Sequence, residues 1–385
     1  MGEYDSELSK IVAELNRAAP SQKTAPGATR VPQNTESLDQ ILQQAAGRGA
    51  SDILLVAGAP VMLRVTGSLT TVAGPPLDGE DVRGLVLPLL ETHQAEELHR
   101  NKTVDFGFYR ENLGRFRVNI HHQRGTLAAC IRLLPSKIPS LESLHLPSHL
   151  AKLADKRQGM VLLTGPTGCG KSSTLAALID IVNTRRAAHV VTIEDPVEYQ
   201  HTNRSAVIEQ IEVGRDTPDF AITLRSIMRQ SPDVILVGEM RDAETMATAL
   251  TAAETGHLVL STLHTNDTIQ SISRILDTFP SSNQPQMRQQ VSLALLAVIA
   301  QQLVPGVDGV TRWPAVEIMI ATDAVRAIIR KGDDHQLRSS LSVGKADGMI
   351  TMEQSLVELV RAGRIDRETA YAHCFRTDDL QRYLS

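Results

Sequence analysis

The chain has 385 residues, 42% hydrophobic and 22% charged, a length and balance that exclude a disordered polypeptide and call for more than one folded core. A net charge of −5 excludes a surface that is cationic throughout, as general nucleic-acid or anionic-membrane binding would need. The three cysteines, Cys130, Cys169 and Cys374, lie far apart without a CxxC pair, which excludes a disulfide framework or zinc ribbon and suits a reducing cytosol. The polar N-terminus and the lack of any long uninterrupted apolar run predict an unexported, cytoplasmic protein.

In chain order, residues 1–35 are rich in Ala, Pro, Ser, Thr and Gln and predict a flexible tail with one weak helix at Leu8–Leu15. Apolar residues at 38, 41, 42, 45 and 46 form a helical stripe. Strands are expected at Ser51–Val56 and Val61–Val65, helices at Asp78–Leu90 and His93–Leu98, and strands at Asp105–Tyr109, Gly114–Ile120 and Leu127–Leu134. This defines a small α+β domain over residues 36–135. Pro135, Pro139 and Pro147 punctuate a linker at 136–150, where a hinge is expected.

From 151 to 385 strands alternate with helices, the pattern of a mostly parallel sheet with crossover helices. The expected strands are Met160–Thr164, His189–Ile193, Val234–Val237, Leu258–Leu263 and Trp313–Ile320. Val291–Leu303 is strongly apolar and is read as a buried helix. Asp323–Arg330 and Met352–Ala362 have the spacing of amphipathic helices.

The first strand of this region runs into Gly165-Pro166-Thr167-Gly168-Cys169-Gly170-Lys171-Ser172-Ser173, which fits the phosphate-binding loop G-x-x-x-x-G-K-[ST]. Small residues let the backbone N–H groups approach the phosphates of ATP, Lys171 offers an ammonium to them, and Ser172 offers a hydroxyl to Mg²⁺. The helix that follows adds the positive end of its dipole. Cleaving a triphosphate also needs carboxylates and hydrogen-bond donors near the terminal phosphate. Three further strands end on such groups: Glu194, Glu239 and His264. Glu239 stands where an aspartate is commoner at the strand end, so it is a candidate water activator, or a Mg²⁺ contact through water. Candidates for charge compensation are Arg225 and Arg229, and Arg115, Arg117 and Arg132 in the first domain.

The stretches Gly165–Ser173, Thr-Ile-Glu194-Asp-Pro-Val-Glu, Val-Gly-Glu239-Met-Arg-Asp and Thr-Ala-Ala-Glu-Thr-Gly-His257 … Thr-Leu-His264-Thr occur in the order and spacing of a known family. Together they resemble the secretion-superfamily ATPases, in particular the motors that retract type IV pili in twitching motility. The resemblance covers about residues 36–375. It implies a homo-hexamer whose subunits join a PAS-like domain flexibly to a RecA-like ATPase domain. It further implies an inner-membrane pilus platform protein and paralogous pilus ATPases as partners, with peripheral recruitment to the inner membrane; the acidic net charge and 3% aromatic content argue against a nucleic-acid partner. By resemblance, Glu194 falls in the family's aspartate box, Glu239 in its atypical Walker B, and His257 and His264 in its histidine box. Arg326 and Arg330 match arginines of the late helix needed for retraction, and Gly114–Asn119 the strand whose arginines approach a neighbour's nucleotide.

The sequence departs from the retraction pattern at Ser51-Asp-Ile-Leu, where Ser-Asp-Leu-His is usual. It departs again at Cys169, where serine is commoner and a thiol suggests oxidation sensitivity, and at Lys331, where glutamate is usual. It lacks the four-cysteine zinc insert of extension-type relatives. Competing readings are a pilus-assembly or type II secretion ATPase, a nucleic-acid translocase with a similar core, and a scaffold without catalysis.

Overall fold

The computed structural model describes residues 37–385 apart from 66 and 136; the expected tail and its weak helix lie outside the described residues. The described residues divide into two compact units, one ending at residue 135 and the other running from 137 to 385.

The first unit is built on a six-stranded antiparallel sheet in the order β3-β2-β1-β6-β5-β4. Its strands are β1 (Ala50–Val56), β2 (Met62–Val65), β3 (Ser68–Thr71), β4 (Thr103–Arg110), β5 (Gly114–Gln123) and β6 (Thr126–Leu133). Alternation decides which face is buried. Phe116, Val118 and Ile120 of β5 enter the core with Ile53 and Leu55 of β1, under helices Leu38–Gly47, Gly79–Val86 and Thr92–Asn101. The helix starts are encoded locally. Ser37 and Asp78 each cap a helix in a reciprocal capping box, which satisfies N–H groups that have no partner within the helix.

The second unit carries a seven-stranded sheet in the order β13-β12-β7-β11-β10-β8-β9. Here β7 (Gly159–Thr164), β8 (His189–Glu194), β9 (Val207–Glu212), β10 (Val234–Val237), β11 (Leu258–Leu263) and β12 (Leu295–Pro305) are mutually parallel, and β13 (Arg312–Ile320) runs antiparallel to β12. Every residue of β7, β10 and β11 is buried, as a sheet with both faces covered demands. Asp219, Asp242, Asp267 and Thr322 cap the helices that follow the sheet strands. The α/β class read from the sequence is the one observed.

One assignment is corrected. The apolar run expected as a helix over Val291–Leu303 is helical to Ala294 and then becomes β12 from Leu295. A continuous apolar run suits a helix or a strand buried on both faces, and periodicity cannot separate them. Placement between β7 and β13 decides for the strand. Two further strands are not among those expected: β3, which is short and exposed, and β9, a sheet-edge strand whose Val-Ile-Glu-Gln-Ile-Glu sequence does not alternate. Among the described residues no helix is long and apolar enough to cross a membrane.

Candidate active site

Four neighbouring parallel strands, β7, β11, β10 and β8, deliver their carboxyl ends to one edge of the sheet, so their following residues must converge. β7 leads into Gly165–Ser173, and helix Lys171–Arg185 starts within that stretch. The glycines are dictated by space as well as by torsion. At Gly165 (φ +139°) a Cβ would sit 2.2 Å from the Gln301 backbone oxygen, and at Gly170 (φ +93°) 2.8 Å from the Gln301 amide nitrogen.

Lys171 is 9% exposed, and its Nζ donates to the Gly165 oxygen at 2.8 Å and the Pro166 oxygen at 3.0 Å. Burial pushes its pKa down, against the pull of Cys169, Glu198 and Glu239. Thr167 and Gly168 are exposed at the loop tip, and Ser172 and Ser173 are half-buried. Ser173 Oγ lies 2.7 Å from the Tyr199 hydroxyl. Cys169 is 3% exposed, and burial raises its thiol pKa, so the oxidation sensitivity suggested by its loop position is not what the fold provides.

The carboxylates take different environments. Glu194, at the end of β8, accepts from Thr192 Oγ1 at 2.7 Å and Gln210 Nε2 at 3.1 Å; burial outweighs these bonds and raises its pKa. Glu239 follows β10, its side chain 14% exposed, between two cations or donors. Arg241 Nη2 lies 2.6 Å from Oε1 and His264 Nε2 lies 3.3 Å from Oε2. The His264 loop is pinned to the residue before the phosphate loop, because the Thr265 N–H donates to Thr164 Oγ1 at 3.0 Å. Lys171, Glu194, Glu239 and His264 are therefore carried to one sheet edge.

The other predicted residues lie elsewhere. His257 precedes β11 and His264 follows it, so the strand separates them by roughly 20 Å. His257 Nδ1 faces the Ala252 oxygen at 2.9 Å. Arg225 pairs with Glu244, and Arg229 donates to the Arg225 oxygen at 3.2 Å. In the first unit Arg132 Nε reaches Asp52 at 2.8 Å; Arg117 is its register partner on β5, and Arg115 lies two residues before on the same face. Arg326 closes the end of helix Gln284–Ala294 by donating to Ser292 and Leu293 oxygens, each at 2.7 Å, a favourable place for a cation, and its pKa is lowered by burial. Arg330 is exposed on helix Asp323–Lys331.

Two residues escaped the sequence reading. Arg241, two positions past Glu239, had a usable signal in its spacing. Gln301 had none once its strand was read as a helix. From β12 it is buried under the phosphate loop, with Nε2 donating to the Cys169 oxygen at 2.7 Å and Oε1 accepting from Thr174 Oγ1 at 2.9 Å. Gln301→Leu strips these partners, at about 1–3 kcal/mol for each buried group left unpaired. The expected result is a lower unfolding midpoint and about tenfold weaker ATP binding, read by thermal melts with and without nucleotide.

A phosphate loop opening a helix beside a mostly parallel, RecA-like sheet, with two carboxylates and an imidazole at the same edge, defines a P-loop ATPase. The family Type II/IV secretion system protein matches residues 32–336. The twitching motility protein of Neisseria gonorrhoeae is 46% identical over 309 residues, covering 80% of this chain and 83% of that protein. The type IV pilus retraction ATPase PilT of Pseudomonas aeruginosa is 41% identical over 333 residues, 86% of this chain and 96% of its own. The crystal structure of the pilus retraction motor PilT with bound ADP superposes with a TM-score of 0.85 at 42% identity, covering 90% of this chain and 99% of that one. The chain belongs to the type II/IV secretion-system ATPases. Within them its similarity is to pilus retraction and twitching motility ATPases.

Proposed function

We propose that the chain works as a homo-hexameric motor in which ATP hydrolysis at the sheet edge drives rotation of its two units and so withdraws the pilus. The observation that carries this reading is the convergence of Lys171, Glu194, Glu239 and His264 on one edge beside the phosphate loop. Lys171 exchanges its loop-carbonyl partners for phosphate oxygens, and the loop N–H groups with the helix dipole hold the rest of the anion. Glu239 takes the proton of the attacking water, His264 and Arg241 fix the carboxylate, and Glu194 orients groups around the terminal phosphate.

Among the described residues no group of three or more His, Cys, Asp or Glu side chains is arranged to hold a metal. The Ser172 hydroxyl at the start of helix Lys171–Arg185 and the Glu239 carboxylate at the same sheet edge suit Mg²⁺, which takes few protein ligands and keeps its water and the substrate phosphates. Ser172 would hold it through its hydroxyl and Glu239 through water. When bound, the ion would supply positive charge to neutralise the phosphates.

In a ring of this kind, arginines of a neighbouring subunit complete charge compensation, with Arg115 and Arg117 the candidates on β5 and Arg132 directed to Asp52. The hinge belongs to the 136–150 connector. The burial of Leu141, Leu146 and Leu150 in the core of the second unit supports a hinge before residue 141. A cytoplasmic ring recruited to the inner membrane by the pilus platform protein, beside paralogous pilus ATPases, completes the assignment.

Deleting the gene in the organism that carries it tests the direction of movement. Excess surface pili with lost surface motility is the expected result, and a bald cell would reassign the chain to pilus assembly. DNA-stimulated turnover of the purified protein at low salt would instead favour the translocase reading.

A further inference from the structure

Glu317 is a carboxylic acid in a place that asks for an apolar side chain. It sits on β13 between Val316 and Ile318, fully buried, with Ala300 of β12 as its register partner. Ala300 in turn pairs with Thr164, the residue before the phosphate loop. One carboxyl oxygen of Glu317 is engaged twice, accepting from the Thr268 N–H at 3.0 Å and from Thr268 Oγ1 at 2.7 Å. The other oxygen is buried without a hydrogen-bond partner. Burial raises the pKa, so the group is held toward its neutral form.

Such a residue costs stability against a valine or leucine, because a buried polar atom is left unpaired. What it holds shows what offsets that cost. Thr268 opens helix Thr268–Asp277, and the short loop between β11 and that helix carries His264. Asp267 already caps this helix through the Gln270 N–H at 2.7 Å, so Glu317 is not needed as its cap. The loop is fastened on two sides. Thr265 binds Thr164 next to the phosphate loop, and Thr268 binds Glu317 two strands away. His264 stands directly before the first anchor, Thr265, and reaches Glu239.

We propose that Glu317 is a positioning residue for hydrolysis: through Thr268 it fixes residues 264–268 and so holds His264 against Glu239, an inference that rests on the hydrolytic reading of Glu239. Glu317 is fully buried and acts only through Thr268. Its loss lets the loop drift, which misaligns the reacting groups while the phosphate cradle, built from Gly165–Ser173 and Gln301, still binds ATP.

The test is steady-state turnover and equilibrium ATP binding on the full chain carrying Glu317→Ala, Glu317→Gln or Thr268→Val, with Lys171→Ala and Glu239→Ala as references. Glu317→Ala is expected to lower kcat about ten- to hundredfold, the scale of a small misplacement at a reacting centre. ATP affinity should stay within about twofold of the parent in Glu317→Ala. Glu317→Gln, neutral and with the same acceptor facing Thr268, restores kcat to near the parent value, and Thr268→Val falls between. A folded Glu317→Ala protein with parental kcat overturns the proposal. So does a loss of ATP affinity that accounts for the rate, or a Glu317→Gln protein as slow as Glu317→Ala. If Glu317→Ala does not fold, Thr268→Val tests the same link from its other end, and parental turnover there sinks the idea. Normal turnover in Lys171→Ala and Glu239→Ala would instead overturn the hydrolytic reading beneath it.

Discussion

Lys171→Ala is expected to abolish ATP turnover and pilus retraction together. The side chain is nearly buried in the mouth of the phosphate loop, and it is a cation that burial already disfavours. A group kept charged at that cost must have an anion to meet, and the triphosphate is the one the loop is shaped for. Charge-assisted hydrogen bonds of this kind contribute about 1.5–3 kcal/mol each. Losing them weakens ATP binding by about ten- to hundredfold. The rate falls further, by about 10² or more, because the ammonium also follows charge that develops on the phosphates in the transition state. Alanine removes no backbone N–H from the loop and leaves Gln301 in place beneath it, so the fold should hold. Isothermal titration with a non-hydrolysable ATP analogue and phosphate release measure the two losses separately. A Lys171→Ala protein that binds and cleaves ATP normally would remove the phosphate loop from the mechanism.

What the sequence disclosed and what it withheld follow a physical line. Gly165–Ser173 was legible because its chemistry is contiguous: the strand, the tight turn, the ammonium and the helix start lie within a dozen residues. Glu194, Glu239 and His264 were legible for a related reason, since each directly follows an apolar strand and parallel strands present such residues at a common edge. The supports of the site are not contiguous. Gln301 lies 132 residues from the Cys169 carbonyl it holds, and Glu317 lies 49 residues from Thr268. Those pairings exist only once β12 and β13 are placed beside β7, and β12 is the strand whose uniform apolarity reads equally well as a helix. The arginines show another limit. Arg326 has the look of a functional cation, yet the fold directs its guanidinium to carbonyls at a helix end. Arg132 is likewise directed to the buried carboxylate of Asp52. Sequence reveals that a charge is present, while only the fold reveals which partner satisfies it.

Glu239→Ala separates binding from cleavage. In the folded chain the carboxylate is recessed, bonded by Arg241 at 2.6 Å and His264 at 3.3 Å, and it acts electrostatically on Lys171. A carboxylate this close to the phosphate cradle repels the triphosphate, so its presence does not serve affinity. Removing it relieves that repulsion and leaves Arg241 and His264 as uncompensated donors. ATP should therefore bind Glu239→Ala as tightly as the parent, or more tightly. Turnover should fall by about 10²–10⁴, the contribution of a positioned general base. The variant would hold ATP without cleaving it, and in a ring it should stall neighbouring wild-type subunits when mixed with them. His264→Ala supplies the comparison. If His264 acts by orienting Glu239, its removal slows turnover less than loss of the carboxylate, and the double variant is no slower than Glu239→Ala alone. Parental turnover in Glu239→Ala would overturn the base assignment and turn attention to Glu194, another carboxylate at the same sheet edge.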